Sequence, residues 1–190
     1  MATKLTTGSS IDNVAQVTTA QIQPSASALV LVFVANLRGP LVFGTLATPV
    51  VSGCGLTWEP VTSVQTSDND TRLTCFRALG DTPSRGNLVI DFADQIQDSC
   101  AWSVFEYTDV NTSGVNGRGA LGSSSVTIDT NTTLTAAAPP IDPARDRAVG
   151  AIILAPADGQ AHPVTPGAGL TEINEQTPTQ LFARSLAMQT

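Results

Sequence analysis

The strongest pattern along the chain is a series of short apolar runs without helical spacing. In residues 101–107 both parities are apolar (Ala101, Trp102, Val104, Phe105, Tyr107), and only Ser103 and Glu106 interrupt. A strand with one wet face alternates, whereas a strand covered on both faces reads as a nearly continuous apolar run. Residues 99–107 therefore predict a central strand between two packed layers. Residues 28–35 (ALVLVFVA) repeat the pattern, and residues 147–155 (RAVGAIILA) give a third buried strand.

Between these runs the alternation is clearer. Residues 56–65 and 71–79 predict a hairpin joined through Ser67, Asp68, Asn69 and Asp70, whose side chains satisfy their own backbone and tolerate positive φ. Pro60 removes a ladder donor from the first arm and predicts an edge position or a bulge. Residues 87–92 alternate again, and residues 167–173 and 181–187 predict a final hairpin. Residues 111–123, rich in Gly, Asn and Ser, predict a long flexible loop. The predicted fold is all-β: a two-sheet antiparallel, jelly-roll-like β-sandwich of about eight to ten strands. Residues 1–22 are polar and irregular and predict an N-terminal arm, leaving residues 23–190 as one sandwich domain.

Composition sharpens this picture. Hydrophobic residues make up 42% of the 190 and charged ones 13%, against about 25% charged in ordinary soluble domains. The remainder is rich in Thr and Ser, which suit pleated surfaces and do not suit disorder. The formal net charge is −7, and the nine basic residues, Lys4 and eight arginines, are scattered. Nucleic-acid affinity rests on clustered cations, so no nucleic-acid partner is expected, and an anionic membrane surface is disfavoured for the same reason. The N-terminus carries no apolar signal region, and no run approaches the length of a membrane-spanning helix. Synthesis in a cytoplasm without a signal peptide is the expectation.

Candidate chemistry is sparse. The three cysteines, Cys54, Cys75 and Cys100, form no CxxC pair and read as buried thiols. A Cys75–Cys100 bridge between neighbouring strands is the alternative. The single histidine, His162, lies beside Pro163 without a nucleophile motif, and the only lysine is Lys4. The acidic turns Asp68/Asp70 and Asp91/Asp94/Asp98 contain residue types that calcium takes, although Asp also favours turns in its own right. The expectation is a protein that is not an enzyme, with no catalytic, cofactor-binding or metal residue assigned and calcium at those two turns as the one cofactor alternative.

Three segments carry a resemblance. Gly55-Leu56-Thr57-Trp58-Glu59-Pro60-Val61, then Thr74-Cys75-Phe76-Arg77-Ala78-Leu79, then the run from Ala101 through Tyr107-Thr108-Asp109-Val110-Asn111-Thr112, stand in an order similar to a β-sandwich domain of tailed-phage structural proteins and bacterial surface proteins. In that family a G-W-x-x-V strand, a strand ending in an aromatic and a small residue, and a Y-x-G-V-D-T corner follow one another. The likeness spans about residues 26–188. Asp109 stands where the family usually has Gly, and the chain ends at Thr190 where such domains often add a strand, which implies an edge completed by a neighbouring subunit. The resemblance implies a virion component: a capsid decoration, cement or head-fibre protein. Its expected partners are the major capsid protein, other virion subunits and sister copies in a homo-oligomer, reached through the arm and sheet edges. The alternative is a module binding a host-surface glycan or protein through loops 111–123 and 156–169.

Overall fold

The computed structural model describes residues 2–37, 45–67, 69–128, 146–154, 163–168, 171–176 and 185–189. Its centre is a five-stranded antiparallel sheet built from β1 (Ala2–Ser10), β3 (Leu29–Leu37), β5 (Glu59–Gln65), β6 (Thr71–Ala78) and β8 (Ser99–Tyr107), in the order β1-β8-β3-β6-β5. The two strands read as doubly covered, β3 and β8, are adjacent and buried along all nine residues.

On one face Val30, Val32, Val34, Phe76, Trp102 and Val104 pack against Val17, Val51, Leu88 and Ile90. These last belong to a three-stranded sheet of β2 (Gln16–Thr18), β7 (Leu88–Asp91) and β4 (Val50–Gly53), in the order β2-β7-β4. This pair of sheets is the predicted β-sandwich. Each buried aliphatic side chain contributes about 1.5–3 kcal/mol, so the valine face is a principal source of stability.

The opposite face carries Leu29, Leu31, Phe33, Cys75, Phe105 and Tyr107. A second three-stranded sheet, β9 (Gly150–Leu154), β10 (Glu172–Gln176) and β11 (Ser185–Gln189) in the order β10-β11-β9, adds cover there through Ala151 and Ile173. β10 and β11 form the predicted final hairpin, with both arms shifted towards the C-terminus. The polar residues that interrupt β8 are hydrogen-bonded. Asn174 Nδ2 donates to Ser103 Oγ at 3.1 Å, and Glu106 accepts from Ser25 N at 2.9 Å and Ser25 Oγ at 3.2 Å.

The irregular N-terminal arm is corrected. Residues 2–10 are a strand paired antiparallel with β8, and residues 16–18 pair with β7. Their polar composition reflects an edge location, where only one side of the strand meets the core. A bulge between Lys4 and Thr6 accommodates Leu5, which packs on the valine core. The flexible-loop reading of residues 111–123 is corrected in part. Val115–Ala120 is a short 3-10 segment with Asn116 and Gly117 at φ 51° and 80°. Gly117 is buried, and a Cβ there would stand 2.8 Å from Leu29 Cδ1. Arg77 Nε donates to Asn116 O at 3.2 Å and Asn116 Nδ2 to Glu59 Oε1 at 3.3 Å, which ties the segment to β6 and β5.

Other expectations hold locally. Pro60 lies on edge strand β5 and beside a bulge. The hairpin turn places Asn69 at φ 62°. The corner after β8 carries a left-handed residue, Asp109 at φ 59°; Asp tolerates that region better than most residues. Cys75 and Cys100 do not pair. They face opposite sides of the sheet, on strands separated by β3, and all three cysteines are free and buried.

Candidate functional site

The valine-face sandwich has two lateral edges, and in each the chain crosses directly from one sheet to the other. Residues 11–15 join β1 to β2, and residues 54–58 join β4 to β5. Each crossing lies beside a tryptophan, because filling the gap between two sheets at their margin calls for a large flat side chain.

At the β1–β2 edge the gap remains open. A groove of about 330 Å³ is lined by Ser9, Ser10, Asp12, Gln16, Thr18 and Trp102, with Val14 and Val17 completing its wall. Trp102 is only 7% exposed and sits opposite Gly8 on β1. A Cβ on Gly8 would stand 2.8 Å from Trp102 Cε2 and closer still to Cζ2, so the missing side chain is what lets the indole lie beneath the edge strand. Trp102 Nε1 is buried without a hydrogen-bond partner among the described residues. Ser10 Oγ donates to Asp12 Oδ2 at 3.0 Å and accepts from Asp12 N at 3.3 Å. Gln16 Nε2 donates to Asp91 Oδ2 at 3.3 Å. These bonds tie Asp12 back to the end of β1 and Gln16 to the neighbouring strand β7.

The β4–β5 edge is closed. Trp58, half-buried against the same core, donates its Nε1 to Gly53 O at 3.2 Å. The crossing turns tightly through Gly53, Cys54 and Gly55, at φ 121°, 56° and 64°. Cys54 Sγ lies 3.5 Å from Gly86 O, which it bonds, and burial raises its pKa.

At one end of the sandwich a polar cluster stitches residues 45–47 to the sheet. Asn36 Nδ2 donates to Gln97 Oε1 at 2.9 Å, and Gln97 Nε2 donates to Gln95 O at 2.8 Å. Gln95 accepts from Ala47 N at 2.7 Å and donates to Thr45 O at 3.0 Å. Arg72 bonds Leu46 O at 3.1 Å and also Gln65. Every partner here is an internal loop or strand group, so the cluster is an anchor for the chain.

The acidic segment from Asp91 to Asp98 is held by local backbone bonds. Asp91 Oδ1 accepts from Ala93 N at 2.7 Å, and Ala93 and Asp94 take left-handed conformations at φ 51° and 61°. Asp98 N donates to Leu37 O at 2.9 Å. Among the described residues no three His, Cys, Asp or Glu side chains gather as a metal-ligating group. Asp68 and His162 lie outside the described residues. The sequence reading missed the β1–β2 groove because Trp102 registers only as a core aromatic. The available signal was Gly8, a residue without a side chain within a run of Thr and Ser.

No protein-family model matches this chain, and no curated protein or solved structure is significantly similar to it.

Proposed function

We propose that this chain is a non-enzymatic structural protein of a tailed-phage virion. In this reading it is an outward-facing decoration, cement or head-fibre component, made in the host cytoplasm, that joins the shell or sister copies through its sheet edges. The observation that carries the reading is the ordered set of structural motifs: Trp58 entering the hairpin, Phe76 to Ala78 ending its second arm, and the Tyr107 to Thr112 corner. Their geometry is in keeping with it, since Asp109 adopts the left-handed conformation that the family's glycine would supply.

The two edges of the five-stranded sheet also support it. An edge strand presents unpaired N–H and C=O groups that another chain can extend. β5 is guarded by Pro60 and a bulge, while β1 from Thr6 to Ser10 pairs in regular register on its inner side and carries no proline or charge. β1 is therefore the edge to which a capsid subunit or a second copy would add. The net charge of −7 with scattered cations suits a surface facing solvent rather than packaged DNA.

The test is direct. Purified shells of a tailed phage, mixed with the protein and viewed by negative stain, are expected to gain regularly spaced surface density that pelleting assays also register. Bare shells at saturating protein would overturn the reading.

A further inference from the structure

The 3-10 segment tied to β5 and β6 holds the chain's one Asn-Gly pair, Asn116-Gly117. We infer that Asn116 is a modification site that the folded loop keeps shut: when the loop lifts, Gly117 N attacks the Asn116 side-chain carbonyl carbon, and the isoaspartate product does not reseat. The reaction needs only the chain and water. The Gly117 nitrogen bonds to Asn116 Cγ and gives up its proton, and the Cγ–Nδ2 bond breaks with release of ammonia. Water then opens the cyclic imide at either carbonyl. One opening leaves aspartate; the other leaves isoaspartate, with the backbone rerouted through the side chain. A following glycine favours ring closure because no Cβ crowds the attacking nitrogen and its backbone turns freely. The other seven asparagines are each followed by a residue with a side chain.

Three features hold the ring open in the folded chain. Closure requires Gly117 N to rotate about the Asn116 Cα–C bond onto the side of Cβ, and at ψ 39° it stands nearly opposite. Arg77 Nε donates to Asn116 O at 3.2 Å, and Asn116 Nδ2 donates to Glu59 Oε1 at 3.3 Å, so backbone and side chain are both pinned to the sheet. Gly117 is buried among Leu29, Leu79 and Ala78, which leaves no space for the rotation. The same packing makes the change one-way. Isoaspartate adds a methylene to the backbone just before Gly117, where a Cβ alone would stand 2.8 Å from Leu29 Cδ1. It also exchanges the carboxamide that donates to Glu59 for a carboxylate of like charge. Loss of ammonia here is independent of any role on a phage shell.

The experiment incubates the full chain, folded and in denaturant, at the same mildly alkaline pH and temperature. Asn116 is followed by peptide mass and isoaspartate labelling. Modification should be at least about 10-fold slower in the folded chain, because only its open fraction reacts. Arg77→Met and Glu59→Ala, which each remove one pin, should speed it about 2- to 10-fold in the folded chain. Chain modified in denaturant and returned to buffer should melt lower than freshly refolded chain. Trypsin should also cut it faster after Arg118, the only Lys or Arg within residues 111–123. Asn116→Gly, which takes the same positive φ without a reactive amide, should show no such difference after the same treatment. Equal rates in the folded and unfolded chains overturn the inference, as does an Asn116 that stays intact even when unfolded. A refolded isoaspartate chain as stable and as trypsin-resistant as its control, or pin variants that leave the folded rate unchanged, overturns it too. The folded-against-unfolded comparison needs no substitution, so it decides even where a variant fails to fold.

Discussion

The two lateral edges of the sandwich solve one packing problem in opposite ways. At the β4–β5 edge, Trp58 lies half-buried over the gap, its N–H is satisfied by Gly53, and a run of left-handed residues draws the crossing tight. At the β1–β2 edge, Trp102 comes from β8, one strand inward, and reaches beneath Gly8, so the crossing from β1 to β2 closes nothing. The first arrangement seals the core with the connecting segment. The second seals it with a side chain from inside the sheet and leaves a polar groove above. At the open edge the packing constraint therefore falls on Leu5 and Gly8, which meet the core.

The largest effect should come from removing the open edge itself. Deleting residues 2–10 takes away the strand paired with β8 and uncovers Trp102. Lost pairing and packing on this scale rivals the whole stability of a domain, about 5–15 kcal/mol. Loss of a cooperative melting transition by circular dichroism is expected. A truncated chain that melts as sharply as the full one would return residues 2–10 to the status of a detachable arm.

Next come the tryptophans. Trp102→Ala vacates a site at the core that is only 7% exposed, and should cost about 3–5 kcal/mol. Trp58→Ala, from a half-buried site, should cost clearly less. Urea unfolding of the two variants measures the difference, and equal losses would mean that both edges are sealed alike. The glycines divide by mechanism. At Gly53 an added Cβ would meet the backbone oxygen of Asn87 at φ 121°, where neither neighbour nor backbone can yield. Gly53→Ala should cost about 3 kcal/mol. At Gly8 the obstacle is an indole that can tilt towards the groove, so Gly8→Ala should cost about 1–3 kcal/mol, with a red shift in tryptophan emission as Trp102 moves.

The sequence made the interior legible and the edges opaque, for a physical reason. β3 and β8 are buried on both faces, so every position along them is constrained to be apolar or paired, and their runs stand out. β1 is constrained on one side only, and Thr, Ser and Gly satisfy that constraint while resembling a loop. Gly117 shows the same limit. Its loop reads as flexible from Gly and Asn content, yet the glycine is there because Leu29 and Leu79 leave no room for a side chain. The groove could not be read at all, since it is made where residues 9–18 meet Trp102, and that juxtaposition exists only after β1 pairs with β8.

The mildest test compares the edges through their thiols. Cys54 sits in the closed crossing, and Cys100 pairs with Ser10 beside the open one. Burial raises both above the ordinary thiol value of 9.0, Cys100 to about 12, so neither should react readily with a thiol reagent near pH 8 in the native protein. In low urea, variants retaining one cysteine each should label Cys100 before Cys54, because only a fraying β1 need move to expose it; the reverse order would make the closed edge the weaker one. The same burial predicts how stability responds to alkali. Cys75 and Cys100 hold their protons to about 12 in the folded chain, as does Tyr107, against 9.0 and 10.0 for the free groups. Between those values the unfolded chain has released protons that the folded one still binds, so each step up in pH favours unfolding. The contribution of these groups is fully present below pH 9 and should fall away from about pH 9 to 12. Cys75→Ala with Cys100→Ala should flatten the lower part of that decline and leave the part owed to Tyr107, which melting curves taken across the alkaline range would resolve.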